Sequence, residues 1–169
     1  MRIRAVTLLV LVGCGGARFD GRSYRDGDVA YEVGALGEGW QRVEVDGNGA
    51  GADLAWSHPS LAAVAHVEAR CDPALDVPLD ALTNHLLVGF TDRRDEVRER
   101  IPMDGREALR THLRARLDGV ERELLLVVLK KDGCVYDLGL VAPPGTAFAR
   151  ARSDFERLLG GFRARSRPP

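Results

Sequence analysis

Four histidines, three cysteines and one serine–histidine dipeptide are the residues of this 169-residue chain whose types suit catalysis or metal binding. His58, His66, His85 and His112 form neither an HExxH motif nor a tight metal-ligand pair. Ser57-His58 is only a dipeptide, because a triad is built by convergence in space. No GxSxG elbow presents a nucleophile. Gly47-Asn48-Gly49-Ala50-Gly51 lacks dinucleotide-loop spacing, and no P-loop lysine follows a glycine run. Each histidine is therefore expected to be structural or solvated. A hydrolase would require His66 or His112 to meet Asp137 in a deep pocket. The stretch from Arg93 to Arg116 is arginine-rich and suits lipid head groups or another anionic partner. Asp92, Asp95, Glu96, Glu99, Asp104 and Glu107 interleave with it, so cross-strand pairing accounts for most of its charge.

Composition narrows the classes further. Lys+Arg is 24 against 25 Asp+Glu, a formal net charge of −1, which argues against nucleic-acid binding through bulk charge. The chain is 45% hydrophobic and 29% charged, as globular domains are, and its length suits one domain. Only Lys130 and Lys131 are lysines, so 24 − 2 = 22 basic residues are arginine, which reads as a high-GC genome.

The N-terminus carries an address. Arg2 and Arg4 precede an apolar run, Ala5 to Val12, which is too short to span a bilayer but fits a signal-peptide core. Leu11-Val12-Gly13-Cys14 resembles a bacterial lipobox. The resemblance implies a signal peptide over 1–13, cleavage before Cys14 and a diacylglycerol on its thiol. Gly15, a non-aspartate, implies the outer membrane by likeness to enteric lipoproteins. The expected partners are the membrane, through this anchor, and an envelope protein; no nucleic acid and no cofactor are implied. Residues 14–28 are glycine-rich and polar and read as a tether.

Cys71 and Cys134 remain after Cys14 is assigned. In the oxidising compartment implied by the lipobox, the preferred reading is a disulfide closing a loop of 134 − 71 = 63 residues. A metal site is poorly supported without a CxxC or nearby histidine. A catalytic cysteine lacks a local signature, and two buried free thiols are the blandest alternative.

The elements that must position these residues follow from periodicity. Trp40–Val45 and Asp53–Trp56 read as strands, and Leu61–Arg70 as a third that its alanines also permit as a helix. Leu79, Leu82, Leu86 and Phe90 recur at helical spacing, predicting about three turns capped by Asp76. Leu109, Thr111, Leu113, Ala115 and Leu117 alternate with Arg110, His112, Arg114 and Arg116, a strand with one basic face. The Asp118-Gly119 turn sets Arg114 against Glu123 and Arg116 against Glu121. Asp104-Gly105 likewise sets Glu99 against Arg110 and Asp95 against Arg114. Leu124–Leu129 reads as a buried central strand and Cys134–Val141 as the last. Phe148, Ala151, Phe155, Leu158 and Phe162 mark a helical face, with a restart at Ser153 suggested by capping-box spacing to Glu156 and a loose end at Gly160-Gly161. The tail, 163–169, is expected to be disordered. The layout is α+β, a mostly antiparallel sheet flanked by helices.

Gly39-Trp40, the Asp-Gly-punctuated meander, Tyr136-Asp137-Leu138 and the closing helix with Phe155 and Phe162 together resemble the PsbP-like α/β/α sandwich over residues 29–162. That fold is shared by an extrinsic photosystem II subunit, a Ran-binding nuclear-import factor and bacterial lipoproteins, mostly binding or assembly proteins. The resemblance implies a non-catalytic envelope factor and carries over no ligand residues. A carrier or sensor holding a small apolar ligand between sheet and helix is the alternative, and a hydrolase the third class. A large apolar cavity would favour the carrier; a filled core with exposed apolar surface would favour partner binding.

Overall fold

The computed structural model describes residues 16–45 and 51–165. Cys14 and the expected lipobox and signal peptide over 1–13 lie outside the described residues, as does most of the loop 46–51. In chain order the strands and helices are β1 (Arg18–Phe19), β2 (Ser23–Asp26), β3 (Val29–Glu32), β4 (Gln41–Val43), β5 (Leu54–His58), β6 (Ala63–Arg70), α1 (Leu79–Leu86), β7 (Phe90–Met103), β8 (Arg106–Leu117), β9 (Val120–Lys131), β10 (Cys134–Ala142), α2 (Thr146–Gly160) and β11 (Arg163–Ala164).

A seven-stranded antiparallel sheet, ordered β4-β5-β6-β10-β9-β8-β7, forms the frame. Its meander is set by three Asp-Gly pairs fourteen residues apart, at 104, 118 and 132. Both residues of each pair have positive φ, between 47° and 78°, the geometry of a two-residue hairpin turn matched to strand twist. The expected pairs Arg114–Glu123 and Arg116–Glu121 stand opposite each other, as do Glu99 and Arg110. Asp95 does not face Arg114. Two irregularities, between Thr91 and Arg94 and between Arg94 and Val97, place Arg94 there instead. Asp92 and Asp95 take positive φ at these bulges. The bulges, Pro102 and a dense run of charge blunt β7, an exposed edge strand that would otherwise invite pairing.

Alternation assigns the two faces of this sheet. Leu125, Val127, Leu129, Tyr136, Leu138 and Leu140 point to one side, where Phe148, Ala151, Phe155 and Leu158 of α2 cover them. Leu109, Val128 and Val135 point to the other, under Leu79 and Leu82 of α1. Leu61–Arg70 resolves as a strand from Ala63, after a 3-10 turn over Pro59–Leu61. α1 ends at Leu86, so it has about two turns and not three. Phe90 begins β7, because Gly89 at φ 90° turns the chain back toward the sheet. Asp76 closes the short 3-10 turn before α1 and does not cap it; Pro78 occupies the cap position. α2 runs unbroken through Ser153.

The largest departure concerns the chain ends. Residues 18–26, expected as part of a tether, and 163–164, expected as part of a disordered tail, form a second sheet ordered β1-β2-β3-β11. Its inner face supplies Tyr24, Tyr31 and Ala164 to the core beside Phe162, which follows α2. Tyr31 stacks on Tyr24 and Phe162 with ring centroids 5.0 and 5.9 Å apart. Gly161 does not loosen the helix end. It lies against Gly34, and a Cβ on Gly34 would overlap the Arg157 carbonyl, which is fixed backbone. Gly34 also donates its N–H to Leu158 O at 3.0 Å. Gly34→Ala is therefore expected to destabilise by roughly 1–3 kcal/mol, as overpacking does, readable as a lower urea midpoint. An unchanged midpoint would show that the two segments are not held at this approach.

Candidate functional site

The two cysteines meet. Arg70 on β6 faces Val135 on β10, so the next antiparallel pair is Cys71 opposite Cys134. They are bonded, with Cα atoms 4.0 Å apart. Cys71 is exposed and Cys134 is buried. The bridge borders a cleft of about 410 Å³ at the turn end of the sheet, lined by Leu75, Asp76, Arg106, Lys130, Cys134 and Val135 among others. Shallower hollows continue it past Leu79, Glu107, Ile101 and Pro102, and Arg106 lines each of them. Lys130 pairs with Asp76, whereas Arg106 has no ion pair among the described residues. Apolar floor plus a free guanidinium suits an acidic side chain or other anion attached to an apolar body.

The histidines disperse to four places. His58 stands edge-on to Trp40 at 5.4 Å, next to Gly39, whose positive φ and missing Cβ make room for the ring. Trp40 Nε1 in turn donates to Asp154 on α2 at 2.8 Å, tying β4 to the helix. His66 packs over Gly139, and burial lowers its basicity. His112 lies 2.9 Å from Glu123 Oε1 and stacks on Phe148, while Gly145 N–H donates to Glu123 Oε2 at 3.2 Å. Neither His66 nor His112 is hydrogen-bonded to Asp137. Among the described residues, no group of three or more His, Cys, Asp or Glu is arranged to hold a metal ion.

Asp137 instead belongs to a buried ion pair. It is 1% exposed on β10, and Arg70 on β6 donates to its Oδ2 at 2.6 Å. Burial pushes its carboxyl up to about 6, Arg70 pulls it back, and Glu68 adds to the rise. Asp137 Oδ1 has no hydrogen-bond partner. A second interior acid, Asp53, is likewise raised to about 6 by burial, against the Ala69 N–H donated to it at 2.9 Å. Sequence reasoning singled out neither effect, because both need the sheet to bring distant residues together.

The arginine stretch 93–116 is largely neutralised. Arg94 pairs with Glu121, Arg98 with Glu96, Arg100 with Asp80 and Glu107, Arg110 with Glu99 and Glu156, and Arg116 with Asp92. These are mostly solvent-exposed pairs, which organise a surface more than they stabilise it.

With this geometry in view, comparison with solved structures is informative. CyanoP, the cyanobacterial PsbP of Synechocystis, matches with a TM-score of 0.58 at 18% identity, over 92% of this chain and 99% of its own. The fold is PsbP-like. LpqN, a protein involved in cell envelope biogenesis of Mycobacterium tuberculosis, shares it with a TM-score of 0.52 at 15% identity, over 82% of this chain and 86% of its own. A protein from Bacteroides thetaiotaomicron matches with a TM-score of 0.56 at 11% identity, over 88% of this chain and 50% of its own. No family model and no curated protein sequence matches the chain. Identities this low show a PsbP-like architecture and transfer no site residues.

Proposed function

We propose that the chain is a lipid-anchored envelope protein, facing the periplasm from the outer membrane, that acts as a non-catalytic binding or assembly factor. The observation that carries this reading is the packing between the large sheet and α2. Leu125, Val127, Leu129, Leu138, Leu140, Phe155 and Leu158 are all fully buried there, so a small apolar ligand has no room where a carrier would hold it. Recognition then falls to the outside. On the α1 face, the short helix leaves Val64 44%, Val120 50% and Val88 76% exposed, and the Arg106 cleft opens at the opposite end of the meander strands. The PsbP-like fold, a disulfide suited to an oxidising compartment and the lipobox support the same assignment.

Anchoring is tested at Cys14. Cys14→Ser is expected to abolish acylation, detected as loss of acyl mass in the intact protein. Two or three acyl chains, at about 0.8 kcal/mol per buried CH₂, anchor stably where one is marginal. A wild-type protein that fractionates as soluble with an unmodified N-terminus would overturn the assignment. For the binding role, a photocrosslinker at Glu107 should yield one discrete adduct in intact envelopes, lost on Arg106→Glu. An apolar small molecule co-purifying with the protein would instead favour the carrier.

A further inference from the structure

The outward face of the small sheet is predominantly positive. In register, Arg18 faces Arg25, Arg25 faces Ala30, and the Arg165 N–H bonds to Ala30 O. These residues share the face opposite the buried Tyr24, Tyr31 and Ala164. One row along, Ser23 faces Glu32 and Glu32 faces Arg163. Arg22 joins the same surface by pairing with Glu32 at 3.4 Å, and Arg165 pairs with Glu32 as well. Five exposed arginines thus share the outward face with one carboxylate, 5 − 1 = +4 on that face of a chain of net −1. The acids at its turns, Asp20, Asp26 and Asp28, offset part of it, and Asp20 lies in the field of Arg25. Asp20 accepts the backbone N–H groups of Arg22 and Ser23 at 2.9 and 2.7 Å, and Asp26 sits on the inward row of β2. Arg163 bonds the Gly160 and Phe162 carbonyls, which are not ionised. Arg18 and Arg25 stand directly opposite each other, and neither forms a close ion pair among the described residues, an arrangement that costs stability unless an anion lies over it.

We infer that this face lies on anionic phospholipid head groups. The inference rests on the lipid-anchor reading, and chain length makes it specific. Only three residues lie between Cys14 and Arg18, the first residue of β1, so the two are four residue steps apart. At about 3.5 Å per residue, a lipid on Cys14 holds β1 within about 14 Å of the bilayer surface. The sheet nearest the anchor is therefore the one with the arginine-rich outward face, and a negative surface attracts each arginine over roughly a Debye length.

The test uses the full protein, with its intact mass recorded first. Acylated protein is placed in nanodiscs of phosphatidylcholine alone or with phosphatidylglycerol, and amide exchange is followed. Phosphatidylglycerol is expected to slow exchange across 18–26 and 163–165 by roughly fivefold or more, an effect abolished by raised salt and by Arg18→Ala/Arg25→Ala. Arg93→Ala/Arg94→Ala, on the far edge, should change nothing. Equal exchange in both lipids overturns the inference. If the mass shows no acyl chains, the anchor reading fails by itself, and the same protein is floated with the two kinds of vesicle. Flotation with phosphatidylglycerol alone, weakened about 25-fold by the double substitution, upholds the face; no flotation overturns it. Binding to a soluble polyanion but to neither vesicle also overturns it. Arg93→Ala/Arg94→Ala should melt with wild type, since both side chains are exposed, and Arg18→Ala/Arg25→Ala should melt no lower than wild type, since it relieves a like-charge pair.

Discussion

Cys71→Ala is expected to lower the unfolding free energy by about 2–4 kcal/mol, and adding Cys134→Ala should change little more. The bond closes a loop of 63 residues that holds α1 and three meander strands, so its loss frees a long segment of the unfolded chain. It also fixes the point where β6 joins β10, the junction between the three-stranded N-terminal part of the large sheet, β4-β5-β6, and the meander. Chemical denaturation under oxidising and reducing conditions reads the effect. Wild type should lose most of the difference on reduction, and the double variant should be indifferent to reductant. Equal midpoints for oxidised wild type and the double variant would remove the bond from any account of stability.

A larger effect is expected at Arg70. Arg70→Met leaves a carboxyl that is 1% exposed without its counter-charge, and breaking such a pair costs about 3–5 kcal/mol when the acid is ionised. The loss should therefore be near its full size at pH 8 and much smaller at pH 4. The sign follows from where Asp137 titrates. Its ordinary value is 3.8 and its folded value about 6, so between these the folded state binds more protons than the unfolded. Its contribution to stability falls as pH rises through that window and is level above it. A difference of about 2 units corresponds to about 3 kcal/mol. Asp137→Asn, which cannot ionise, should accordingly gain on wild type by up to that amount between pH 4 and pH 7. Asp53→Asn should move in the same direction, because burial raises that acid to about 6 as well. Urea midpoints for the three variants at the two pH values decide it. A destabilisation of Asp137→Asn that is equal at both would mean that the carboxyl does not titrate in this range.

What the sequence made legible was local. The Asp-Gly turns dictate hairpin register, so Arg114–Glu123 and Arg116–Glu121 followed from spacing alone. The face of α2 followed from period, and the α+β class from the order of periods. The disulfide was legible through the compartment that the lipobox implies. Asp92 and Asp95 hid the bulges of β7, because positive φ at a non-glycine residue has no sequence signature beyond the aspartate itself. The small sheet was illegible for another reason. Its strands are two to four residues long, and Arg18 and Arg163 lie 163 − 18 = 145 positions apart. Ser23-Tyr24-Arg25-Asp26 shows a strand's alternation only once the tyrosine cluster is there to receive Tyr24. Arg106 was passed over because a residue after a turn looks solvated until the neighbouring turn is brought beside it.

β11 completes a sheet that the first described residues begin. A chain synthesised amino-end first therefore presents β1, β2 and β3 long before β11 emerges. Until Arg163 and Ala164 arrive, β3 keeps an open edge, and Tyr31 lacks the Phe162 ring that covers it. Closure is thus the least local pairing among the described strands, the kind that slows folding.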